Sequence, residues 1–232
     1  MVSKLIELKN IEKVYKLKND KVQALKSLNL TIEQGDFLMI MGKSGSGKTT
    51  LLNILGLLDS FDGGKYNFMG EDLINLDENK KSEIRNKYMG FIFQQFHLIE
   101  SLNVASNVEL PLLYGEHISS QERKKRVEKY IDLVGLIDKK NMLPSELSGG
   151  QQQRIAIARA LINNPYVIFA DEPTGALDSE NGEAIMNILK SMNEENKTIV
   201  MVTHDEDLVR YANKVIYIKD GVITKVDEKC PL

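Results

Sequence analysis

Residues 37–49 read FLMIMGKSGSGKT. FLMIM is an apolar run of buried-strand length, and GKSGSGKT fits the pattern G-x-x-x-x-G-K-[ST]. The residues that follow, KTTLLNILGLL, have helical periodicity, so the glycine-rich turn is expected to leave a buried strand and open a helix. That context gives the residue types their meaning. Glycines let successive backbone N–H groups converge on phosphate oxygens, and a helix N-terminus adds partial positive charge. Lys48 is then suited to neutralise β and γ phosphates, and the Thr49 hydroxyl to ligate Mg²⁺. The bland alternative is an ordinary strand-to-helix turn.

A metal-bound phosphate also calls for a carboxylate. YVIFADEP, at 166–173, supplies an apolar strand ending in Asp171 and Glu172. Asp171 at the strand tip suits Mg²⁺, directly or through water, and Glu172 suits the polarisation of an attacking water. The alternative is a capping Asp-Glu pair ahead of Pro173. His204, in VMVTHDED, follows another apolar strand. A lone histidine is usually a surface or packing residue, yet ligands of such sheets gather at strand ends, where a neutral imidazole can hydrogen-bond a γ-phosphate.

A second glycine-rich turn lies in LPSELSGGQQQR, at 143–154, again ahead of a helical stretch. Ser148 can cap that helix, and the N–H groups and dipole beyond it favour an anion. A plain N-cap followed by flexible glycines explains the residues equally well. No lysine lies within the turn, so as a phosphate site it is only half of one, without its own counter-charge or metal ligand.

The rest of the chain bounds these readings. Its 232 residues, 42% hydrophobic and 27% charged, suit a soluble globular core with an inserted lobe. A net charge of −3 points to neither nucleic acid nor an anionic membrane surface. Arg123-Lys124-Lys125-Arg126, flanked by Glu122 and Glu128, reads as a solvated helix face over a phosphate patch. The lone Cys230 cannot form an internal disulfide, and a reducing compartment is expected. MVSKLIELKN alternates like a strand, not a signal peptide, and no apolar run is long enough to span a bilayer. Strands are expected at 4–9, 28–33 and 36–41, and in KYNFM. Helical stretches fill about 96–163, and strands alternate with helices afterwards. This order implies an α/β nucleotide-binding core interrupted by a helical lobe.

LSGGQQQR resembles the signature sequence of ABC-type ATPases, and the other motifs fall in that family's order. Gly42, Lys43, Ser44, Gly45, Ser46, Gly47, Lys48 and Thr49, with Thr50 behind them, resemble its Walker A. Gln94 in GFIFQQF resembles its Q-loop, implying a metal and catalytic role. VIFADEP resembles its Walker B with Glu172 as catalytic carboxylate. Asp178 in GALD resembles its D-loop residue, His204 its switch histidine, and Tyr15 in IEKVYKL the aromatic that stacks on adenine. From the residues alone Tyr15 is a strand residue.

The resemblance covers essentially the whole chain. It implies a P-loop NTPase (RecA-like) core with an N-terminal antiparallel β subdomain, together over 1–95 and 164–232, and an inserted α-helical subdomain over 96–163. It also implies ATP and Mg²⁺ as cofactors, and two subunits packed head to tail. Each ATP would then lie between one copy's P-loop and the other's Ser148, Gly149 and Gly150, which makes the second turn the missing half of a neighbour's site.

FQQFHLIESLNVASNVELPLLY, LPSELSGGQQQRIAIARAL and ADEPTGALDS resemble the exporter-associated MacB/LolD-type group, whose ATPases pair with FtsX-like permeases. A cytoplasmic subunit is therefore expected on the inner face of the membrane, touching it only through a permease and binding no nucleic acid. Antimicrobial peptides, macrolides or lipoproteins are the implied cargo. The chain ends soon after Gly221, and no C-terminal regulatory domain is expected. Lys43 stands where the group commonly has proline, and Thr49 where it often has serine, with the hydroxyl kept. NVASNV lacks the commoner acidic residue before Asn107, in the lobe expected near the permease. The alternatives are a regulatory ATPase of the FtsE kind and a soluble ABC ATPase acting on DNA repair or ribosomes. The second usually carries paired cassettes or long coiled-coil insertions, which this sequence lacks.

Overall fold

The computed structural model describes residues 4–16, 20–115 and 118–228, and Cys230 lies outside them. The chain opens with β1 (Lys4–Lys16), β2 (Lys21–Glu33), β3 (Phe37–Met41), α1 (Lys48–Leu55), β4 (Gly63–Phe68) and β5 (Glu71–Asp72). There follow α2 (Glu78–Tyr88), β6 (Met89–Phe93), α3 (Val104–Glu109), α4 (Ser120–Leu133), α5 (Gly149–Leu161) and β7 (Val167–Asp171). It closes with α6 (Ser179–Glu194), β8 (Thr198–Val202), β9 (Lys214–Lys219) and β10 (Val222–Glu228). Two compact units divide these elements, Met1–Lys81 with Asn193–Leu232, and Ser82–Met192.

In the first unit, β2, β1, β4 and β5 pair in that order, antiparallel throughout. β1 and β2 run well past the stretches 4–9 and 28–33 that alternation predicts. The reason is irregular register: shifts fall between Leu8 and Ile11 and again between Ile11 and Lys13. Asn10 and Ser27 take left-handed φ of 52° and 50° there, so side chains change face and the period-two pattern breaks. β3 lies between β8 and β9, parallel to both, with β10 antiparallel on β9. Every residue of β3 and β8 is buried, as in a parallel sheet covered on both faces. Leu51, Leu52, Ile54 and Leu55 are the buried side of α1. Ile40 pairs with Val202, so the chain leaves β3 toward Gly42 and β8 toward His204 at one edge of the sheet.

In the second unit, β6 and β7 pair in parallel from Met89–Val167 to Phe93–Asp171. α5 packs on β6 and against α3 and α4, with Ile155, Ala156, Ile157 and Ala158 wholly inaccessible to solvent. NVASNVELPLLY does not form one helix. α3 stops at Glu109 and a 3-10 turn, Leu110–Leu113, takes over, because Pro111 supplies no N–H to continue the ladder. Arg123 donates to Glu109 at 2.8 Å and Arg126 to Glu122 at 3.0 Å, so both arginines of the basic run are paired to carboxylates. Among the described residues no helix is long and apolar enough to cross a membrane.

Candidate functional site

The sequence candidates fall into two groups, one in each unit. Tyr15, Gly42–Thr50 and His204 belong to the first. Gly45 and Gly47 take φ of 77° and 106°, a region that only glycine enters without strain. A Cβ on Gly42 would come within 2.3 Å of the Ile218 carbonyl oxygen, and one on Gly47 within 2.7 Å of that of Ala24. The loop is thus folded tightly onto β9 at Gly42 and onto β2 at Gly47, where a side chain would not fit.

Lys48 reaches back across the loop, donating to the Gly42 carbonyl at 2.8 Å and the Lys43 carbonyl at 3.0 Å. Gly47 is the N-cap of α1 and offers no side-chain cap, so the first N–H groups of that helix are left to an outside acceptor. The buried Ser46 hydroxyl has no hydrogen-bond partner among the described residues. An orphaned buried hydroxyl, an ammonium and an uncapped helix start all suit an oligophosphate. The Thr49 side chain is exposed in the first turn of α1. The Tyr15 hydroxyl lies 3.5 Å from Thr50 Oγ1, which sets the ring beside that helix start. His204 is exposed just beyond β8.

Gln94, Ser148–Gly150, Asp171, Glu172 and Asp178 belong to the second unit. Parallel pairing of Phe93 with Asp171 carries β6 and β7 to the same edge, with Gln94 and Glu172 the next residues. Glu172 holds a left-handed φ of 46°, which costs a non-glycine residue about 1–2 kcal/mol. Strain of this kind persists only where surrounding bonds fix it. Here the Gly175 N–H donates to the Glu172 carbonyl at 3.0 Å, and Gln153 Nε2 donates to the Pro173 carbonyl at 2.6 Å. The same Nε2 also meets the Phe93 carbonyl at 3.3 Å. A single fully buried amide on α5 therefore ties down both segments that present Gln94 and Glu172.

Ser148 caps α5 in a capping box: its Oγ accepts from the Gln151 N–H at 3.4 Å, and Gln151 Oε1 accepts from the Ser148 N–H at 3.0 Å. A Cβ on Gly150 would fall 2.3 Å from Asn181 Oδ1. Asn181 in turn holds Asp178, donating through its backbone at 2.9 Å and through Nδ2 at 3.1 and 2.8 Å. Those bonds, the backbone one first, hold the Asp178 carboxyl below the usual carboxylate range. A cavity of about 540 Å³ opens beside Gln94, lined further by residues 95–98, Glu100, Gln152 and Ala176.

The model of the ABC transporter family matches residues 25–175. An ABC transporter ATP-binding protein of Methanocaldococcus jannaschii, MJ1508, is 52% identical over 225 residues, which is 97% of this chain and 100% of that protein. The chain belongs to the ABC transporter family. It is an ATP-binding cassette, an ATPase of the P-loop NTPase fold, and two solved dimeric structures of MJ0796 match it with a TM-score of 0.91. One of them, described as a post-hydrolysis state bound to ADP and Pi, is 45% identical and covers 98% of this chain and 100% of that one. The macrolide export ATP-binding/permease protein MacB of Chlorobium phaeobacteroides is 45% identical over 98% of this chain, which spans only 34% of MacB.

Some residues that shape this cassette carried no signal in the sequence. Gln153 is the last of three glutamines and looks like any polar helix residue. Arg159 reads as a helix-end cation, yet its guanidinium holds the Phe96 carbonyl at 2.8 Å and the His97 carbonyl at 2.5 Å. Burial pulls its pKa below the ordinary arginine value. Asn107 is fully buried and donates to the carbonyls of Ile99, Leu102 and Asn103 while accepting from the Ile99 N–H. That clamp fixes the loop beside the cavity.

Proposed function

We propose that two copies of this chain close head to tail around two ATP. Each nucleotide is gripped by Gly42–Thr50 of one copy and Ser148–Gly150 of the other. Lys48 neutralises the β and γ phosphates, Tyr15 stacks on adenine, Glu172 polarises the attacking water and His204 meets the γ-phosphate. Asp178 and Gly149 complete the nucleotide contacts across the pair. Thr49, Gln94 and Asp171 would hold Mg²⁺, which supplies charge neutralisation at the phosphates. ATP favours the closed pair because it makes contacts there that the open pair lacks, and loss of the γ-phosphate removes them.

The observation that carries this reading is the contrast between the two turns. One has an ammonium and an uncapped helix start; the other is lysine-free and completes no phosphate site by itself. The dimeric solved relatives support pairing. The pair drives a separate FtsX/MacB-like permease that exports antimicrobial peptides, macrolides or lipoproteins, a reading supported by the MacB relatives. The subunit sits on the cytoplasmic face of the membrane through that permease alone, received by the helical subdomain over 96–163.

Glu172→Gln should lower ATP turnover by about 10²-fold or more and trap a dimer on gel filtration with MgATP. Ser148→Arg on that background should abolish the dimer while each monomer still binds ATP. Normal turnover by Glu172→Gln would remove the carboxylate from its role, and a dimer that survives Ser148→Arg would remove the signature turn from the interface. Co-purification with a polytopic membrane protein, followed by transport into vesicles, separates export from signalling of the FtsE kind.

A further inference from the structure

The end of β1 is stitched to the loop that follows α1. Tyr15 donates its hydroxyl to Asp59 Oδ2 at 2.7 Å, and Lys13 Nζ reaches Asp59 Oδ1 at 2.6 Å and the Ser60 carbonyl at 2.6 Å. One turn on, Asp62 Oδ2 accepts from the Val14 N–H at 2.7 Å, and the Asp62 N–H donates to the Glu12 carbonyl at 2.8 Å. Lys13 is only 6% exposed, a burial that a lysine tolerates when a carboxylate and a carbonyl accept its hydrogen bonds. Its ammonium also stands over the Tyr15 ring, 5.0 Å from the centroid. Tyr15 nevertheless remains 37% exposed. Burial pushes the Asp59 carboxyl up, but the hydrogen bonds from Lys13 and Tyr15 outweigh it and leave the group below its ordinary range.

We propose that Asp59 is a positioning residue for nucleobase recognition: with Lys13 as its counter-charge, it holds the Tyr15 phenol so that the exposed ring is set in advance as a platform for a purine. A tyrosine free to swing would have to be immobilised on binding, and that lost rotamer freedom would be subtracted from the stacking gain. The anchored ring has lost it before the nucleotide arrives. Position supports the assignment, since the same hydroxyl lies 3.5 Å from Thr50 Oγ1 at the start of α1. The inference rests on the reading that Tyr15 stacks the base, and the experiment below separates the two.

The probes are ATP and inorganic tripolyphosphate, each with Mg²⁺, titrated calorimetrically into the full chain. Tyr15→Ala removes the platform. Tyr15→Phe removes only the hydroxyl. Lys13→Met/Asp59→Leu removes the clamp without stranding a buried ammonium. Tyr15→Ala should lose about tenfold or more in ATP affinity, the scale of one base stacked on an aromatic. Tyr15→Phe and the double variant should each lose roughly three- to fivefold through lost preorganisation, with tripolyphosphate affinity unchanged in all three. If Tyr15→Ala is weakened but Tyr15→Phe binds ATP like the natural chain, the ring stacks unaided and Asp59 has no such role. Equal loss of ATP and tripolyphosphate in Tyr15→Phe, or in the double variant, would make the clamp merely structural. Should Tyr15→Ala bind ATP normally, the stacking reading fails and takes the inference with it.

Discussion

Two turns of this chain read alike as GxG and GG ahead of helices, and they hold their glycines for different reasons. At 45 and 47 glycine is required by backbone angle, with φ of 77° and 106°, and Gly42 and Gly47 press against carbonyl oxygens of neighbouring strands. Gly149 and Gly150 are ordinary first-turn residues of α5 with no positive φ. There the constraint is a neighbouring side chain, Asn181, which occupies the space a Cβ on Gly150 would fill. The helix starts differ too. α1 has no side-chain cap, whereas α5 is closed by the Ser148–Gln151 box. The first turn is a glycine-folded loop whose helix start is left uncapped, and the second is a capped helix start with small residues.

Three substitutions break or sharpen this contrast. The largest effect is expected from Lys48→Ala, which removes the ammonium that folds back across the first turn. ATP affinity measured by calorimetry should fall about 10- to 100-fold, the scale of a lost charge-assisted contact. Unchanged affinity would mean that the glycine cradle suffices without the ammonium.

Next comes Gly47→Ala, where the φ of 106° and the Ala24 carbonyl at 2.7 Å both oppose a Cβ. Denaturant unfolding should register a loss of about 1–3 kcal/mol. A variant as stable as the natural chain would show that the loop relaxes freely.

The smallest effect is expected at Gly150→Ala, because the nearest obstacle is the end of a flexible side chain. A loss of about 1 kcal/mol is expected, partly recovered when Asn181→Ala is added, and a double-mutant cycle reads the coupling. Strict additivity would mean that Asn181 does not guard that space. Neither Gly150→Ala nor the double variant should alter ATP binding by the monomer.

The elements that sequence alone reveals best are those whose signal is local. FLMIM and TIVMV are buried on every residue and read as strands without help. α5 is periodic and capped by its own Ser148. α2, by contrast, buries none of its residues, so ENKKSEIRNKY has no apolar face to detect. β10 is exposed along most of its length and is held mainly by pairing with β9, which leaves little in its own residues to mark it. At the site, Lys48, Thr49, Asp171 and Glu172 stand out because their chemistry lies next to a strand end in the sequence itself. Asp59, Gln153 and Asn107 do not, since the groups they hold are remote along the chain or are carbonyls that any residue could present.

Residue order by itself determined a glycine-rich loop between strand and helix, a carboxylate pair at a strand tip, and a second glycine-rich turn without a counter-charge. These follow from contiguous residues whose angles and charges act over one or two turns of chain. Only the tertiary structure decided that Glu172 sits at a left-handed φ, that one buried amide of α5 holds the segments on either side of it, and that the Tyr15 hydroxyl is fixed by Asp59. Each depends on which carbonyl, carboxylate or phenol arrives within about 3 Å, the reach of a hydrogen bond. That proximity is set by strand register and helix packing and not by neighbours in the chain.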